Sequence, residues 1–159
     1  SFAVEYFGIA PEEAARWVAL YYGGIMLGRL VSGFVSIKAT DNMLIRAGVL
    51  TSLAGIAVLM LPLGKTALWG FLLIGFGFGP IFPSVLHSVP ARFGSTYSAD
   101  ITGFHMGGAY AIGFLIQLAF GYIATATTFA ITQYVLLALC AGIFLANAHT
   151  VTVLKKANN

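Results

Sequence analysis

Five runs of apolar residues, each about 20 long, account for most of this chain, and the polar residues collect between them. The runs cover residues 14–37, 44–63, 67–86, 101–124 and 129–154. A helix rises about 1.5 Å per residue, so about 20 residues span a hydrocarbon layer roughly 30 Å thick. The connectors are short: "GIAPEE", "KATDN", "GKT", "HSVPARFGSTYSAD" and "TATT". Residues 1–7 form a stub too short to cross. The pattern predicts an all-α, polytopic membrane helix bundle with no soluble domain. Composition removes the soluble alternative. Of 159 residues, 59% are hydrophobic and 8% charged, against roughly 25% charged in an ordinary soluble domain. A chain of this length can bury a core, but so few charges cannot cover its surface.

The basic residues set an orientation. Lys38, Arg46, Arg92, Lys155 and Lys156 fall on one side of the layer, Arg16 and Lys65 on the other. Basic residues favour the cytoplasmic side, which predicts a cytoplasmic C-terminus in a cell inner (plasma) membrane. Trp17, Trp69 and Tyr122 then lie at the outer ends of their spans. The net charge of +3 reads as juxtamembrane lysine and arginine and predicts no nucleic-acid partner. Pro11, Glu12 and Glu13 suit a helix start, with proline in the first turn and acids at the positive end of the dipole. Asp100 is placed as the N-cap of the fourth span. Cys140 has no second cysteine to pair with. The chain opens "SFAVEYFG", without a basic n-region or cleavage site. An odd number of spans after a truncated first helix predicts further chain upstream.

The third span holds "GFGFGPIFPS", residues 75–84. In a soluble helix each glycine costs about 1 kcal/mol and each proline about 3 kcal/mol relative to alanine. In lipid a helix keeps its internal hydrogen bonds because nothing replaces them, so breakers are tolerated where a bend is needed. Gly75, Gly77, Gly79, Pro80 and Pro83 therefore mark either a static kink or, as we favour, a gating element. Elsewhere small residues recur at four-residue spacing: Gly24 and Gly28, Gly103 and Gly107, Ala109 and Gly113, Gln117 and Gly121. That spacing lets helix backbones approach closely.

Arg29 is the deepest charge, roughly 12 Å along its helix from Lys38. It either snorkels to the interface or pairs with Asp41 or Asp100 as a latch between helix ends, a role preferred over solute binding. Tyr110 and Gln117 are seven apart and share a helix face, a polar stripe with room beside it. With Phe76, Phe78 and Phe82 they form the candidate solute-binding set. Gln117 has the alternative of satisfying a backbone carbonyl at a helix contact. His105 reads as an interfacial or interhelical hydrogen-bonding group rather than a proton carrier, and Asn147 and His149 are placed facing the interface. No carboxylate lies mid-span. No HExxH, phosphate-binding loop, cysteine pair or Ser/His/Asp arrangement is present, so no enzyme, metal or cofactor is expected.

The stretch "GGIMLGRLVSGFVSIKATDNMLIR", the Gly/Pro-rich span and "SADITGFHMGGAYAIG" together resemble the C-terminal half of a major facilitator superfamily transporter, in the sugar-transporter branch that includes fucose permease. Gly28, Arg29, Gly33, Lys38 and Asp41 fall where that superfamily carries a G-x-x-x-D-R-x-G-R repeat. Ile37 stands where the motif has Asp, and the later Gly-Arg pair is missing. The resemblance implies that residues 1–7 end helix 7 and that the five spans are helices 8 to 12. It also implies a missing six-helix N-terminal half and a rocker-switch mechanism in which the Gly/Pro-rich span lines the cavity. The expected function is ion-coupled transport of a small polar solute, such as a sugar, by alternating access. A multidrug or metabolite exporter of the same superfamily and a non-transporting membrane scaffold are the alternatives.

Overall fold

The computed structural model describes Val4 and residues 8–61, 64–94, 96–126 and 131–157. Among these residues every regular element is a helix and no strand occurs. The elements are α1 (Pro11–Val35), α2 (Asp41–Met60), a 3-10 turn (Gly64–Trp69), α3 (Gly70–His87), α4 (Val89–Phe93), α5 (Ser98–Ala126) and α6 (Ile131–Ala157). Five stretches are long and apolar enough to cross a membrane: Pro11–Val35, Asp41–Met60, Lys65–His87, Ser98–Ile123 and Tyr134–Val153. The chain thus has the build of a polytopic membrane protein.

Local chemistry sets the helix ends, often a few residues beyond the apolar runs. α1 starts at Pro11, behind an extended Ala10, with Glu12 and Glu13 in its first turn. α2 begins at Asp41, three residues ahead of the apolar run starting at Leu44. Thr40 caps it, the hydroxyl oxygen accepting from the Met43 amide at 3.4 Å. α5 starts at Ser98, so Asp100 is not the N-cap but lies inside the first turn. There its charge still opposes the positive end of the helix dipole. The polar connector before α5 contains a helix of its own, α4, with Pro90 in its first turn and Gly94 ending it at φ 82°. That left-handed backbone is one glycine adopts without a Cβ clash.

α3 is the central helix. α1 packs on one side of it and α2 on the other, and α6 lies against α2. The glycines of "GFGFG" make this sandwich possible. At about 100° per residue, Gly75 and Gly79 lie on one side of α3, while Gly77 and Gly70 lie nearly opposite. All four are buried. A Cβ at Gly79 would stand 2.7 Å from the Ile25 carbonyl oxygen and 2.9 Å from the Arg29 amide nitrogen, both on α1. A Cβ at Gly70 would stand 2.5 Å from the Gly55 carbonyl oxygen on α2. Two backbones therefore close on α3 from opposite sides, and α1 answers with Gly24 and Gly28, α2 with Gly48 and Gly55.

The prolines fit the same surface. α3 runs unbroken through Pro80 and Pro83. Pro80 has no N–H to give to the carbonyl of Phe76. That carbonyl faces Gly28 across the α1 contact, where a side chain would collide with it. On the α2 side the Ser52 hydroxyl, fully buried, donates to the Ile74 carbonyl at 3.3 Å. The apolar core around this seam comprises Val49, Ile56 and Leu59 from α2, Ile74 and Ile81 from α3, and Cys140 from α6.

The two ends of the bundle differ in chemistry. At one end Trp17 meets Trp69 edge-to-face, with centroids 5.5 Å apart, and Lys65 pairs with Glu13 at 3.0 Å. Arg29, Asp41, His87 and Arg92 occupy the other. α5 stands apart. It joins the rest chiefly through α4, and Gly103, Gly107 and Gly113 on it have open space where a Cβ would sit. The small-residue spacing of α1 is thus used in packing, and that of α5 faces no neighbour among the described residues.

Candidate functional site

At the end of the bundle where α1 stops and α2 begins, a cavity of about 860 Å³ opens between α1, α2, α3 and α5. Ligand pockets are commonly about 300–1,000 Å³. Its polar wall includes Arg29 and Ser32 of α1, Thr40 and Asp41 at the start of α2, and Ser84 and His87 of α3. Its apolar wall includes Ile37, Leu44, Phe82 and Leu86, and α5 contributes Tyr110.

The geometry of α3 explains what reaches the cavity. Beyond Gly79 the helix has left its tightest contact with α1, so the last turn can diverge and leave space. Phe82, Pro83, Leu86 and His87 come from that turn. Phe76 and Phe78 lie deeper, half-buried. Phe78 packs on the core cluster rather than lining the cavity. Gly75, Gly77, Gly79 and Pro80 are buried in the helix seam, where the three glycines leave room for neighbouring backbones. Of the candidate solute set, therefore, the fold gathers Phe82 and Tyr110 on one cavity. Gln117 lies about two turns further along α5, exposed and outside that lining.

Asp41 and Arg29 share the cavity but do not pair. The Asp41 carboxylate oxygens both face Nδ1 of His87, at 3.0 and 3.2 Å. The ion pairs among the described residues are this one and Lys65–Glu13. Among the described residues Arg29 has no acidic oxygen within 4.0 Å, and the expected latch from Arg29 to Asp41 or Asp100 does not form. Asp100 is exposed on α5. The physical reason lies in the helix ends. Thr40 starts α2 so that Asp41 faces the end of α3, where His87 sits.

His87 is the residue that sequence reasoning missed. It follows the third apolar run directly, and a neutral histidine adds nothing to a count of fixed charges. Its partner lies 46 residues away, a separation that no helical spacing reveals. Asn147 needs correcting as well. It does not face the interface but is buried, 8% exposed. Its amide Nδ2 donates to Asn42 Oδ1 at 2.6 Å, and its Oδ1 accepts from Arg92 Nη2 at 3.4 Å. This chain of polar groups ties α6 to α2 and α4, next to the cavity wall. His105 and His149 are exposed.

No group of three or more His, Cys, Asp or Glu side chains among the described residues is arranged to hold a metal ion. No family model matches the chain, and neither a curated protein nor a solved structure does.

Proposed function

We propose that this chain is the C-terminal bundle of a major facilitator superfamily-type secondary transporter that moves a small polar solute by alternating access. The observation that carries the reading is the cavity. It is large enough for a metabolite, it opens at one end of a membrane-length bundle, and it combines polar groups with an apolar wall that includes the Phe82 ring. Tyr110 and Phe82 supply a hydroxyl and a ring from two different helices. A polar metabolite needs both hydrogen-bond partners along its rim and an apolar surface against its face. The open, small-residue side of α5 suits cover by a second bundle, as the two-half architecture requires. In this reading the cavity end is cytoplasmic, following the basic residues, and ion coupling resides in the other half.

Counterflow uptake by the full-length protein, with a panel of labelled sugars, sugar acids and sugar phosphates, tests the proposal. Saturable uptake is expected for one solute class. Tyr110→Phe and Phe82→Ala should each raise the apparent transport constant severalfold at unchanged protein yield. Absence of saturable uptake for every class, or wild-type constants in both variants, overturns the reading.

A further inference from the structure

The polar groups on this cavity are not evenly divided between donors and acceptors. Two serine hydroxyls at the end of α1 spend their protons on the backbone: Ser32 donates to the Arg29 carbonyl at 2.9 Å, and Ser36, just past the helix, to the Gly33 carbonyl at 2.7 Å. Asp41, the carboxylate of the lining, is held by His87 through both oxygens. Four donors remain. The Arg29 guanidinium has no acid within 4.0 Å among the described residues. The Thr40 hydroxyl accepts from Met43 and keeps its own proton undonated. Ser84 is 4% exposed, and its hydroxyl has no hydrogen-bond partner among the described residues. Tyr110 brings a fourth O–H from α5, likewise without a partner among the described residues.

Each hydroxyl of a neutral sugar offers one donor and two acceptor lone pairs but no charge to oppose an arginine. This lining offers an arginine without an acid and three undonated hydroxyl protons, while the charge of Asp41 faces His87. Its complement is an acceptor-only anion with several oxygens, and phosphate has that form. Arginine pairs with phosphate through two parallel N–H···O bonds, stronger than neutral hydrogen bonds. The cavity is many times larger than a phosphate group, and Ile37, Leu44, Phe82 and Leu86 give the remainder an apolar wall.

We propose that the cavity between α1, α2, α3 and α5 binds the phosphate group of a phosphate ester, with Arg29 as the charge partner and Thr40, Ser84 and Tyr110 as hydroxyl donors. The inference rests on the reading of this cavity as a ligand site and names the chemical class of its ligand. Two sources carry the same chemistry: a soluble phosphomonoester and the headgroup of an anionic phospholipid, which basic pockets between membrane helices also hold.

The test is a binding measurement on the chain purified in a neutral detergent. Inorganic phosphate is the first probe, with chloride at matched ionic strength as the control, and tryptophan fluorescence follows thermal unfolding. Ligand that binds the folded state raises the midpoint by mass action. A saturable rise with phosphate and none with chloride is expected. Arg29→Gln should weaken the apparent phosphate affinity by at least about tenfold, the scale of one charge-assisted hydrogen-bonded pair, and Arg29→Lys should restore part of it. Ser84→Ala, a change of one atom, guards against misfolding as the explanation and should weaken binding by about threefold to tenfold. Glycerol phosphate and phosphatidylglycerol then compete against inorganic phosphate, with glycerol and phosphatidylcholine as their controls. Competition by the first assigns the soluble source, and competition by the second assigns the lipid. If phosphate acts no better than chloride, or both Arg29→Gln and Ser84→Ala bind as wild type does, the proposal is overturned. Phosphate binding without any solute uptake removes the transport reading alone. Uptake of a neutral solute by a chain indifferent to phosphate removes this inference alone.

Discussion

Gly79→Ala tests whether the breaker-rich helix is built for close contact. The added Cβ would lie 2.7 Å from the Ile25 carbonyl oxygen, where ordinary contact begins at 3.4 Å. It would also lie 2.9 Å from the Arg29 amide nitrogen and 3.0 Å from the Gly28 carbonyl carbon. All three neighbours are backbone, so no side chain can swing aside. α1 and α3 must separate locally by about 0.7 Å, and a gap of that size forfeits about a quarter to a half of the dispersion energy of the contacts it opens. Overpacking of this kind costs about 1–3 kcal/mol. Against it stands the helix preference for alanine over glycine, worth about 1 kcal/mol. The net expectation is destabilisation by about 1–2 kcal/mol. Gly107→Ala on α5 is the control. It adds the same methyl group where nothing lies within 4 Å, and should leave stability unchanged or raise it by up to about 1 kcal/mol. Unfolding in mixed micelles of neutral and denaturing detergent measures both. The Trp17–Trp69 contact bridges α1 to the turn preceding α3, so tryptophan fluorescence reports on the seam at issue. A Gly79→Ala chain as stable as wild type, or a Gly107→Ala chain equally weakened, would refute the packing argument.

Three further outcomes are expected. Asn147→Ala should lower the unfolding free energy by about 1–3 kcal/mol, because it leaves Asn42 and Arg92 without their partner in a half-buried setting; the same micelle titration reads it. Asp41→Asn and the double change Asp41→Asn/His87→Gln should unfold at the same midpoint, since the imidazole contributes through that carboxylate, and an additional loss in the double variant would show a second role for His87. Gln117→Ala should leave both the unfolding midpoint and the apparent transport constant within error of wild type, as the side chain is exposed and outside the cavity; a raised constant at unchanged yield would return Gln117 to the solute set.

The helical class and the number of membrane-length helices were legible in the sequence because both depend on local quantities. A residue's apolarity and the thickness of a hydrocarbon layer suffice to mark a span. Pro11 with Glu12 and Glu13 marked the first helix start on equally local grounds. Thr40–Asp41 carried the same kind of signal, which the apolar run starting at Leu44 masked. The neighbours of each span were not legible. Five nearly uniform apolar helices give each other no preferred partner by hydrophobicity, since lipid is as apolar as leucine. Shape makes the choice instead. Gly75 and Gly79 read in sequence as sources of mobility, and the tertiary structure places them where two backbones need the space of a missing Cβ. Gly103 and Gly107 have the same spacing and meet nothing. The cavity follows the same rule. Tyr110 and Phe82 were selectable by residue type, but their meeting depends on how α5 stands beside the end of α3. Asp41 pairs with His87, 46 positions away, and not with Arg29, 12 positions away, because of how the helices are placed, which no one-dimensional pattern encodes.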